Sequence, residues 1–106
     1  MRPLKLDEAI YLYYILSPYL PDMDYNNSDI DLVDFTKLII ENIIESGNHK
    51  DYLLILELIS QQSQEDLKLL EGYETLNILM EGFLLNNIFD LITFCEFIHG
   101  STKQRI

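Results

Sequence analysis

The residues of this chain best suited to chemistry are the polar run Asp22-Met23-Asp24-Tyr25-Asn26-Asn27, the histidines His49 and His99, and the lone Cys95. A calcium loop takes oxygen ligands at its first, third and fifth places, and Asp22, Asp24 and Asn26 have that spacing, with Asn27 where the tight-turn glycine belongs. The remaining places do not fit. The eighth is Asp29 rather than an apolar residue, the twelfth is Val33 rather than a bidentate glutamate, and Pro18 and Pro21 interrupt the helix that should enter the loop. The run therefore reads as a solvated polar connection that ends in helix caps, not as a metal site.

No catalytic arrangement emerges from the other groups. His49 and His99 have no Cys or His neighbour at ligand spacing and no nucleophile motif beside them. His49 reads as a surface residue at a helix start, and His99 as a dipole partner at a helix end. Cys95 lies among Phe94, Phe97 and Ile98, which predicts an inert, buried or half-buried thiol. Acid pairs such as Glu41 with Glu45 and Asp7 with Glu8 are ordinary on exposed helices, and nothing supplies the pocket that would shift one pKa of a pair. Gly47, Gly72, Gly82 and Gly100 are scattered, without a phosphate-binding pattern. The expectation is a non-enzymatic protein with no cofactor.

Two features suit binding instead. Tyrosines concentrate early, at Tyr11, Tyr13, Tyr14, Tyr19 and Tyr25, and tyrosine is favoured where a side chain is apolar along its body and wet at its tip. The block from Met80 to Ile98 is apolar around too much of its circumference for an isolated surface helix. Part of it must face a second helix layer, a second copy of the chain or a client peptide.

Stepping from these residues to the elements that carry them, apolar side chains recur at helical spacing and nowhere alternate as in a strand. Leu6 to Leu16 has acids in its first turn and Leu6, Ala9, Ile10, Tyr13 and Leu16 on one stripe; Pro18 and Pro21 should stop it. Ser28 with Asp31 resembles a capping box for a second helix, whose stripe is Leu32, Phe35, Leu38, Ile39, Asn42 and Ile43 and whose stop is Gly47. Asn48 should cap a third, central helix with Tyr52, Ile55, Leu56 and Ile59 inward. Ser63 with Asp66 opens a short helix ending before Gly72, and Thr75 to Leu85 and Ile88 to His99 follow, parted by a turn or kink at Asn86-Asn87. Gly100 should cap the last helix and 101–106 should fray. The fold class expected is all-α, a single compact domain over 1–106 with about five or six helices.

The 106 residues include 18 Asp and Glu against 7 Lys and Arg, for a formal net charge of -11, yet 48% are apolar. This combination predicts a folded domain with an acidic exterior. Direct contact with nucleic acid or anionic lipid is disfavoured, because phosphate affinity comes mostly from Lys and Arg. One cysteine excludes an intrachain disulfide and favours a reducing compartment. The apolar run after Arg2 and Lys5 is preceded by acids and followed by no small-residue cleavage site, and no stretch reaches the roughly 20 apolar residues of a membrane span. A cytoplasmic protein is expected.

Asp51-Tyr52-Leu53 opening a leucine-rich helix, then Glu81-Gly82-Phe83-Leu84, Asn87-Ile88, Leu91 and Phe94, resembles the small tail assembly chaperones of long-tailed bacteriophages. The resemblance covers mainly 30–99, and the acidic, Ile- and Asn-rich composition suits a phage of a low-GC host. It implies a non-enzymatic protein of the infected cell's cytoplasm that coats the long helical tape measure protein and keeps it soluble until tail-tube subunits polymerise. On that reading the partner contacts are Phe83, Leu84, Ile88, Leu91 and Phe94, with Tyr11 and Tyr14 as a second face; all of these would serve equally as core. Two other readings stand beside it. One is an acidic mimic of nucleic acid that occupies a basic host protein through Asp22, Asp24, Asp29, Asp31 and Asp34. The other is a small helical regulatory adaptor.

Overall fold

A computed structural model describes the backbone of residues 1–27 and 29–103 and the side chains through His99. Among the described residues there are six α-helices and no strand: α1 (Leu6–Leu16), α2 (Leu32–Ser46), α3 (His49–Ser60), α4 (Gln64–Leu67), α5 (Gly72–Leu85) and α6 (Ile88–Lys103). The chain is a single all-α domain, with a radius of gyration of 13.7 Å against about 13 Å expected at this length.

The helix starts follow local chemistry, with corrections in detail. At α1, Glu8 accepts the Lys5 amide at 2.9 Å and both guanidinium nitrogens of Arg2 at 2.9 Å. Helix α1 ends at Leu16, as predicted, and a 3₁₀ turn, Ser17–Tyr19, which tolerates Pro18 in its first positions, follows directly. The cap of α2 is Asp31 itself, whose carboxylate accepts from Val33 N at 2.8 Å; Ser28 lies outside the described residues. Gly47 ends α2 at φ +76°, as its position predicted. Asn48 occupies the cap position of α3 without capping it, since its amide donates to the Tyr19 hydroxyl at 2.9 Å.

The second half differs more. Ser63 caps α4 through Asp66 N at 3.2 Å, as predicted. Gly72 is the first residue of α5 rather than a stop, because Glu71 already holds an extended backbone and the helix begins beyond it. Asn86-Asn87 is a true break: α5 and α6 are bent by 65°, Asn87 takes φ +48°, and Asn86 folds back to Gly82 O at 2.8 Å while accepting the Leu4 amide at 2.7 Å. Helix α6 continues through Gly100 to Lys103, so that glycine is not its cap and 101–103 are helical; 104–106 lie outside the described residues. No single described helix is long and apolar enough to cross a membrane.

The predicted central position of α3 is observed, for it packs against α1, α2, α4 and α5, while α6 packs against α1 and α5. Ile55, Leu56 and Ile59 are fully buried along it, and Gly82 lets α5 approach Ile59 more closely than a side chain would allow. On the other side of the core Phe35 meets Phe83 and Phe89 at ring separations of 5.7 and 5.0 Å, in the edge-on geometry aromatic pairs prefer. Tyr19 is pinned where the 3₁₀ turn crosses the bundle: its hydroxyl donates to Asp51, and its carbonyl accepts from Asn42 at 2.8 Å.

Candidate partner-binding surfaces

The structure separates the residues expected to bind a partner. Phe83 and Ile88 are in the core, 0% and 2% exposed, because the inward faces of α5 and α6 need both to close on Phe35 and its neighbours. They are not available to a partner in this fold. Leu91 is half-buried against the core, whereas Leu84, Phe94, Tyr11 and Tyr14 are exposed. Three of the exposed four border different hollows. Leu84 borders a small cavity with Leu32, Tyr11 lines a hollow with Leu54 and Leu58, and Tyr14 meets the edge of the His99 ring at 6.3 Å.

His99 and the polar connection have structural partners. His99 is not at a helix end; its ring stacks on Tyr13 with centroids 5.9 Å apart. Cys95 is buried, and burial pushes its thiol pKa up, as an inert thiol requires. In the polar connection Asp24 accepts Asn26 N at 3.0 Å and Asn27 accepts Asp29 N at 2.9 Å, the local turns that Asx side chains make. Among the described residues no three His, Cys, Asp or Glu side chains are grouped so as to hold a metal ion.

The concave site that the sequence reading missed is an open apolar groove of about 520 Å³ between α2, the start of α3 and the start of α5. Ile40 and Ile43 form its floor with Tyr52 and Leu76, and Ile44 and Tyr73 stand at its lip, 62% and 68% exposed. Tyr52 is held in place by a 2.6 Å hydrogen bond between its hydroxyl and that of Thr75, and burial raises its pKa. Lys37, Glu41 and His49 supply the polar rim. A signal was present in the sequence: beside the Phe35–Ile43 stripe, α2 carries a second apolar row of Val33, Ile40 and Ile44. Tyr73 carries no such signal, since it precedes Thr75, where the spacing starts the helix, and only the structure puts it in the first turn of α5.

This geometry can hold apolar side chains of a partner between two helices. Comparison of the chain with known proteins finds no matching family model, no matching curated protein and no matching solved structure.

Proposed function

We propose that this chain is a non-enzymatic, helix-binding protein of the tail assembly chaperone kind, which acts in the cytoplasm of an infected cell and keeps a long helical tape measure protein soluble. The observation that carries the reading is the open apolar groove with Ile44 and Tyr73 exposed at its lip. An amphipathic helix lays one apolar face into such a trough and leaves its polar face in water. A small molecule is a poorer occupant, because ligand pockets usually enclose most of the ligand surface and this groove is open to solvent. The net charge of -11 adds self-repulsion, which would keep a client coated with many copies in solution.

The nucleic-acid mimic loses support, because Asp24 and Asp31 are already engaged by backbone amides in their own turn and cap. The adaptor reading has no observation of its own.

The reading requires a long helical reading frame close to this chain's gene, and the test is co-expression of the two. A soluble stoichiometric complex that persists as salt is raised is expected, since apolar burial is not screened. Ile44→Ala and Tyr73→Ala should each weaken it by about tenfold or more if these side chains anchor the client. Both are exposed, so circular dichroism should show an unchanged fold. A complex that dissolves with salt, or one indifferent to both substitutions, would overturn the reading.

A further inference from the structure

The stretch of α6 around Phe94 and Phe97 presents a second apolar surface, which shares no lining residue with the groove. Phe94 and Phe97 lie three residues apart on one helical face and are 51% and 76% exposed. Phe97 borders a cavity of about 360 Å³ together with Met23, Asp24, Tyr25 and Glu96. Tyr14 and His99 border a smaller hollow of about 190 Å³ farther along the same helix.

The charged side chains that line these two hollows have one sign. Neither hollow is lined by a Lys or Arg, and the sequence contains none from Leu6 to Thr36 or from Leu69 to Thr102. Among the described residues Arg2 with Glu8 is the only ion pair, and neither Asp24 nor Glu96 is in one. The field of Glu96 also reaches Tyr13 and Tyr25, adding to the burial that raises both phenols. A second copy of the chain is a poor occupant, because a two-fold contact sets the same patch against itself and would bring these carboxylates together. A cation on an amphipathic body fits, with its stem on the exposed rings and its charge on the acids.

We propose that this face of α6 docks a basic amphipathic helix from another protein, whose apolar side chains cover Phe94 and Phe97 and whose Lys or Arg residues meet Asp24 and Glu96. It differs from the groove in its salt response: attraction between exposed charges is screened, so affinity here falls as salt rises.

The experiment titrates the intact protein with a synthetic amphipathic helix of Leu and Lys, and with its Leu and Glu counterpart, at low and high salt. With the groove disabled by Tyr73→Ala, the Lys peptide should bind at low salt and weaken at high salt, and the Glu peptide should not bind. Phe97→Ala and Glu96→Lys should each reduce affinity for the Lys peptide by about tenfold, while the groove variant Ile44→Ala leaves it unchanged. Equal binding of both peptides, or no effect of either α6 variant, would overturn the proposal. So would loss of binding in Ile44→Ala, which would place the peptide in the groove. Sedimentation of the free protein completes the test: a monomer is expected, and a dimer that Phe97→Ala dissociates would make a second copy the occupant and refute the proposal.

Discussion

Gly82→Ala offers the sharpest test of how α5 is seated on α3. A methyl group at this position would overlap Ile59 Cγ2 and lie 3.2 Å from Ile59 Cβ. Ile59 is fully buried, and its χ1 is confined by branching at Cβ within a helix, so it cannot swing aside cheaply. Overpacking of this kind costs about 1–3 kcal/mol, with the upper half of that range appropriate to a rigid neighbour. Alanine returns about 0.5–1 kcal/mol through its greater helix propensity. The net expectation is a loss of about 1–2 kcal/mol, or a melting temperature lower by roughly 5–15 °C in a domain of this size. Urea unfolding followed by circular dichroism measures it, with Gly72→Ala as the control. That glycine has open space around it, so alanine there should be neutral or stabilise by up to about 1 kcal/mol. Combining Gly82→Ala with Ile59→Ala should cost less than the sum of the two, since the new methyl partly fills the space that Ile59 vacates. If Gly82→Ala stabilises the protein as much as Gly72→Ala does, the close approach of the two helices is refuted.

Two other outcomes follow from the helix ends. Asp31→Ala removes the acceptor for the first amides of α2 and should lower stability by about 1 kcal/mol in the same unfolding assay, whereas Asp31→Asn should retain most of it. The hydrogen bonds from Arg2, then the Lys5 amide, hold the Glu8 carboxyl at about 2, below its ordinary value of 4.5. A folded-state pKa depressed in this way makes a contribution that is present above about 4.5 and is lost as pH falls through about 2. Because the pair is solvent-exposed, the readout is the titration itself: NMR should show the Glu8 carboxyl moving back toward 4.5 in Arg2→Ala, and an unmoved value would show that Arg2 is not its partner.

Much of the fold was legible because helix signals are local. The αL glycine at Gly47, the Ser63 cap, the inward face of α3 and the break at Asn86-Asn87 each depend on a few neighbouring residues, and each is where the sequence places it. Errors arose where local signals compete. Glycine can end a helix or open one, and Gly72 opens α5 while Gly100 lies within α6. Asn48 could cap α3, yet Tyr19 arrives from a distant turn and takes its amide.

The sequence by itself determined that this is an acidic all-α chain with excess apolar surface, since composition and period need no knowledge of what lies opposite. Only the tertiary structure decided which of those apolar residues face water. Phe83 and Phe94 look alike along the chain, but the bend between α5 and α6 and the crossing of α5 over α3 bury one and expose the other. The same packing brings Ile44 and Tyr73, 29 positions apart, to one lip. A binding groove is a relation between elements, and periodicity within one element carries no information about it.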